Sequence, residues 1–282
     1  MNWKLKGTAF RLLDMLPFGH GLYRMAQRLV TRTSSEPITP ALLRLHQYHV
    51  RNYLPVAPGR ALEFGGGRDL LSPLLLSQAG ASEVLVYDIE RHSSPDQVNH
   101  CIRQLRALQP GEWPEVVDCG ADLQAKYRIR YVAPGDARAT GLPDGSVSFI
   151  VSTSTLEHIP EPDVRRIMAE CTRIAAPGAI MSHVIDYKDH YYYSQDSIGM
   201  FNFYRYSARA WRWWSPPNNN QNRLRHSDFA KIFDSAGLIR ANVLPHLAEA
   251  ETLRGLELAP EFQGYSSDDL LTHSAYFVLQ RP

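Results

Sequence analysis

Residues 60–71 read RALEFGGGRDLL. A short apolar run ending at Phe64 predicts a buried strand, Gly65–Gly67 a tight turn, and the segment from Asp69 a helix closed by Gly80. Strand, glycine turn and helix make a place where backbone N–H groups meet a nucleotide-type ligand. The dinucleotide pattern G-x-G-x-x-G fails here, because its third glycine falls on Leu70. Glu63 and Asp69 flank the turn, and a carboxylate at Asp69 would repel a phosphate at the helix start. The loop therefore suits a ligand with cationic groups and no phosphate.

The same alternation continues along the chain. SEVLVYD (82–88), RIRYVA (128–133), SVSFIVS (146–152) and AIMSHVI (179–185) read as strands. SPDQVNHCIRQLRALQPG (94–111), PEPDVRRIMAECTRIAAPG (160–178) and SDFAKIFDSAG (227–237) read as helices. LIRANVLP and SAYFVLQ close the chain as two strands, and residues 111–128 fit neither pattern. Alternating strands and helices predict a mostly parallel sheet covered on both faces, with the ligand outside the carboxyl ends of the strands. That rule gathers the glycine turn, Asp88, Asp136, Ser152–Thr155 and His183–Asp189 around one crevice.

Four stretches, in order, resemble the motifs of class I S-adenosylmethionine (SAM)-dependent methyltransferases: LEFGGGRD, VLVYDIE, APGDARATGLPDGSVSFIVSTSTLEHIP and ECTRIAAPGAIMSHVI. The resemblance covers residues 55–190 well and 225–280 loosely. It implies an α/β, Rossmann-like, doubly wound, mostly parallel seven-stranded sheet with helices on both faces. It also implies SAM as cofactor, held by Glu63, Gly65, Gly67, Asp88, Ile89, Asp136, Ala137 and Ser152. Asp88 would accept hydrogen bonds from both ribose hydroxyls, and Asp136 would lie near the adenine amine. Many family members carry a glycine where this chain has Asp69, which reads first as a helix-start residue.

A methyl acceptor such as an alcohol benefits from a positioned base. His158 in STLEHIP, and Asp186 and His190 in HVIDYKDHYYY, are the candidates, although His158 is also a natural loop-ordering residue. No metal is expected; ligation of a divalent ion by Asp186, Asp189 and His190 is the lesser reading. Residues 187–214 then interrupt the pattern with 11 of the chain's 29 aromatics. An insertion of about 187–225 suits a cap that either lines an acceptor pocket or packs on itself. Arg205, Arg209, Arg212, Asn222, Arg223 and Arg225 offer polar recognition groups there, or anchors for a loop.

Residues 1–54 read as a helical extension of a methyltransferase domain over 55–282. Residues 1–32 read as one or two amphipathic helices, broken near Pro17–Gly19, with Lys4, Lys6, Arg11, Arg24, Arg28 and Arg32 against Asp14. Such a helix packs across a domain or lies on an anionic membrane surface. LPFGHGLYRMAQR and NRLRHSDF are similar to segments of bacterial methyltransferases of surface polysaccharide or glycolipid synthesis, which implies a sugar hydroxyl as acceptor. A net charge of +1 argues against general nucleic-acid binding. Three cysteines with spacings of 18 and 52 fit no zinc pattern or disulfide framework and suit a cytoplasmic chain. A homodimer is compatible with the aromatic insertion. The competing functions are a nicotinamide-dependent oxidoreductase or epimerase, and a non-catalytic SAM-binding regulator.

Overall fold

The computed structural model describes residues 2–18, 21 and 37–282. Among them the sheet has seven strands in the order β3-β2-β1-β4-β5-β7-β6. The strands are β1 Ala61–Phe64, β2 Val84–Tyr87, β3 Ile129–Val132, β4 Val147–Thr153, β5 Ala175–Asp186, β6 Ile239–Leu247 and β7 Thr272–Gln280. Strands β1 to β5 pair in parallel, while β7 runs antiparallel between β5 and β6. β1 and β2 are buried at every position, as strands covered on both faces must be.

Residue parity separates the two faces. Leu62, Phe64, Leu85, Ile150 and Met181 pack under α6 (Glu161–Ile174) and α8 (His226–Ser235). Ala61, Val84, Val86, Phe149 and Val151 face α2 (Pro40–Tyr53), α3 (Leu71–Gln78), α4 (Pro95–Leu108) and α5 (Ala121–Tyr127). Local signals start the helices. The Thr39 and Ser94 side chains cap α2 and α4, each ahead of a proline, and Glu161 and Asp163 place negative charge in the first turn of α6.

Three boundaries differ from the sequence reading. Helix α5 lies in the stretch that fits no pattern; at seven residues it shows only one apolar pair, Leu123 and Tyr127. Strand β5 begins at Ala175, because AAPG leaves the helix after Ile174 and pairs beside β4 with a register shift. The N-terminal segment divides. Helix α2 is part of the main core through Leu43 and Tyr53, whereas α1 (Trp3–Met15) docks on the aromatic insertion. The expected second helix carrying Leu22, Met25 and Leu29 lies outside the described residues.

The insertion builds its own small core. Tyr191, Phe201, Phe203, Tyr204 and Trp211 surround Trp3 with Phe262 and Leu270. Gly7 permits this docking, since a Cβ there would meet the Tyr191 hydroxyl oxygen at 2.7 Å. Helix α7 (Ala208–Trp214) completes the contact through its Trp213 and Arg212 carbonyls, which accept from Arg11. Among the described residues, no helix is long and apolar enough to cross a membrane.

Candidate functional site

A cavity of about 440 Å³ opens at the carboxyl ends of β1, β2 and β4. Its walls include Phe64, Gly65, Gly67, Tyr87, Asp88, Ile89, Asp136, Ala137, Ser154, Thr155 and His158. Gly65 and Gly67 have φ of +72° and +73°, a region that L side chains rarely adopt. The two glycines differ in their surroundings. A Cβ at Gly65 would stand 2.4 Å from the Thr155 methyl, whereas a Cβ at Gly67 would meet nothing within 4 Å. Gly65 thus lets the loop after β4 close against the turn, and Gly67 leaves open space beside it. Ser93 fastens the turn by donating to the Gly67 carbonyl at 2.9 Å.

Three acids surround this loop in different states. Asp88 is 5% exposed, and its Oδ2 has no hydrogen-bond partner. Burial pushes its pKa up to about 6, against the Tyr131 hydroxyl and the Gly66 N–H, which favour the ionised form. Glu63 lies beneath Gly66, fully buried, with Oε2 also unpartnered. Burial and then the neighbouring Asp88 and Asp69 charges raise its pKa. Asp69 accepts from the Leu71 N–H at 3.2 Å and is absent from the cavity wall, so it starts α3 as the sequence suggested. Buried carboxylate oxygens without donors are costly in an apo chain, and a ligand bringing hydroxyl donors and positive charge relieves that cost.

On the rim, Asp136 is gripped by Arg138, whose Nη2 lies 2.8 Å from Oδ2. This ion pair holds the Asp136 carboxyl below its ordinary pKa. Arg138 also reaches Asp163 at 2.9 Å, tying the rim to α6. Ile89 is 64% exposed and presents an apolar face to the cavity.

Two expected members of the crevice lie elsewhere. Ser152 and His183 are register partners on β4 and β5, both fully buried. The Ser152 hydroxyl and His183 Nδ1 are 2.8 Å apart, and the imidazole stacks on Phe233. Their parity points them into the α8 side of the core. Ser154, with φ of 47°, turns the chain so that Thr155 takes the place expected of Ser152.

The proposed catalytic groups also separate. Asp186 is engaged by Lys188, at 3.0 Å from Nζ, and by the Tyr193 hydroxyl. It is therefore not a free base. Asp189 is fully buried, accepting from the Tyr191 N–H and the Asn202 amide. The ligand trio Asp186, Asp189 and His190 does not assemble. His158 and His190 do meet, with ring centroids 4.5 Å apart. Burial lowers the pKa of His190 to about 4, so it is neutral at pH 7. The residue that the sequence reading passed over is Glu157, the acid just before His158 in the LEH turn.

The loop after the cap is structural. Arg225 is fully buried, donates to the carbonyls of Tyr187, Asp269 and Thr272, and lies over the Tyr187 and Tyr204 rings. Arg223 donates to the Phe203 and Tyr206 carbonyls. The Asn222 amide reaches the Leu156 and Ile159 carbonyls, both at 2.8 Å. These groups hold the LEH turn and the cap and are not available to an acceptor.

The strand order, the reversed β7 and the acid-lined glycine turn together define a class I methyltransferase fold; a nicotinamide-type Rossmann sheet has no such reversed strand. The Methyltransferase domain family model matches residues 25–239, so the chain belongs to that family and S-adenosyl-L-methionine is its cofactor. The fold is similar to geranyl diphosphate methyltransferase in complex with SAM: TM-score 0.51, 15% identity, 85% of each chain covered. A SAM-dependent methyltransferase from Methanosarcina mazei gives TM-score 0.50 and 14% identity over 87% of this chain and 99% of that one. The [4+2]-cyclase SpnF gives 0.51 and 14%, over 88% and 84%. A fold shared with a cyclase does not by itself choose the reaction or the acceptor. Comparison with curated protein sequences returned no match.

Proposed function

We propose that this chain transfers a methyl group from SAM to a hydroxyl of a sugar-bearing acceptor, at the rim where His158 and His190 meet. The observation that carries this reading is the imidazole pair beside the cavity, where the neighbouring Asp186 is already paired with Lys188. The cofactor supplies a methyl carbon already activated by its sulfonium. Asp88 accepts the ribose hydroxyls with its unpartnered oxygen. Asp88, ionised at pH 7, sets a negative potential beside the glycine turn, matching the cofactor's cationic groups. Ile89 and Ala137 bound the adenine region, with Asp136 held in place by Arg138. His158 and His190 activate the acceptor hydroxyl, and the cap keeps water from the reacting atoms.

Several exposed groups support a glycolipid-type acceptor at a membrane surface. Tyr193, 61% exposed, lies beside His190 and offers a flat apolar face with a polar edge. Helix α1 and the residues after it expose Leu5, Leu12, Met15, Leu16 and Phe18 next to Lys4 and Lys6. Arg205, Arg209 and Arg212 are exposed on the neighbouring cap. Apolar and basic side chains together favour an anionic interface. We place the protein in the cytoplasm, in line with its three buried cysteines without disulfides.

A transfer assay with labelled SAM tests this. Extracted glycolipids in anionic vesicles should accept methyl faster than the same acceptors in neutral vesicles. No transfer to sugars, lipids or phenols in any form would favour a non-catalytic SAM-binding protein instead.

A further inference from the structure

We propose that Glu157, His158 and His190 form a binding site for one divalent transition-metal ion, which holds and acidifies the acceptor hydroxyl. The proposal rests on the methyl-transfer reading above and gives the imidazole pair a defined role. One ligand atom from each of the three residues lies within 4.8 Å of the other two. Two imidazoles and a carboxylate leave coordination positions open, as catalytic zinc and facial-triad sites do.

The carboxylate is the first reason to place a cation here. Glu157 is 2% exposed; its Oε1 accepts the Asp186 N–H at 3.3 Å, and its Oε2 is buried with no partner. A cation at the His158–His190 junction answers that vacancy. Lys188 is the nearby competitor, but its ammonium is paired with Asp186 at 3.0 Å.

Orientation is the second reason. His158 Nδ1 lies 3.1 Å from the Asn220 carbonyl, which can only accept, so Nδ1 carries the hydrogen and Nε2 keeps the lone pair. The Asn220 amide returns a bond to the His158 carbonyl at 2.8 Å. The Asn222 N–H bonds the Glu157 carbonyl at 2.9 Å. Gln221 accepts the His190 N–H at 3.2 Å. Three consecutive residues of one loop therefore brace both ligand-bearing segments. Such support is what a preformed metal site requires.

His158 also lines the cofactor cavity, so an ion on these ligands would stand at the edge of that cavity. A coordinated acceptor hydroxyl is more acidic, and its proton leaves to solvent water. The O–C bond forms as the S–C bond breaks, and the electron pair stays on the sulfur of S-adenosylhomocysteine. The mixed nitrogen and oxygen set favours zinc-like ions over magnesium.

Calorimetric titration of the chelator-treated full-length chain with zinc chloride should show one equivalent bound, with cobalt chloride giving visible ligand-field bands. His190→Ala and Glu157→Gln should each weaken zinc by more than the about 10–100-fold that outer partners contribute. His190 is partly exposed, so its variant keeps the test valid if the buried Glu157 variant misfolds. S-adenosylhomocysteine is titrated in parallel. Its binding without any zinc binding overturns the metal site alone; absence of both overturns the methyl-transfer reading. Zinc affinity unchanged in His190→Ala overturns the ligand assignment.

Discussion

Asp88→Asn is expected to weaken S-adenosylhomocysteine binding by about 10²-fold while making the ligand-free protein more stable. The affinity loss follows from replacing a charged acceptor that serves two ribose hydroxyls, each such bond contributing about 1.5–3 kcal/mol. The stability gain follows from burial. The Asp88 carboxyl has its pKa raised from 3.8 to about 6 in the folded chain. The folded state thus binds the proton more tightly than the unfolded state. At pH 7 both states are ionised and the folded one carries the penalty; as pH falls through about 6 the penalty shrinks. Removing the charge at pH 7 should stabilise the apo chain by about 1–3 kcal/mol, seen as a higher unfolding midpoint. The same titration predicts that wild-type affinity declines below pH 6. Unchanged affinity in the variant, measured by calorimetry, would remove Asp88 from the ribose.

The second large effect concerns the imidazole pair. His158→Ala/His190→Ala should lower turnover by about 10²–10⁴-fold, the range for loss of acid–base or equivalent hydroxyl activation. Cofactor affinity should stay within a few-fold of wild type, because the ribose and glycine-turn contacts are untouched. The rings lie 4.5 Å apart, so the single variants should not be additive. Normal turnover in the double variant would mean that positioning alone suffices, as it can for a thiol or amine acceptor. Loss of turnover matched by loss of cofactor affinity would make the pair part of the cofactor pocket.

The fold was legible from RALEFGGGRDLL onward because each strand–helix unit carries its own signal. Apolar runs, capping serine and threonine, and glycine stops are all local. The acid at the end of β2 and the glycine turn could be placed for the same reason. What escaped was set by contacts between distant segments. Ser152 and His183 occupy the expected strand ends, but cross-strand register turns both into the core. Asp186 looked like a base until Lys188 and Tyr193 closed on it. The cap's aromatics read equally as a pocket or a core, and Trp3, nearly 190 residues earlier in the chain, decided for a core. Glu157 was visible as the acid beside His158, yet only the fold brings it to His190.

The account rests on a glycine turn built for a cationic ligand without phosphate. The most direct test is the unfolding midpoint of the full-length chain with S-adenosylhomocysteine or with NAD, each in large excess. A ligand bound only by the native state raises the midpoint, by about 2.7 kcal/mol of stability at a hundred times its Kd. S-adenosylhomocysteine should raise it and NAD should not. Stabilisation by NAD alone would contradict the account.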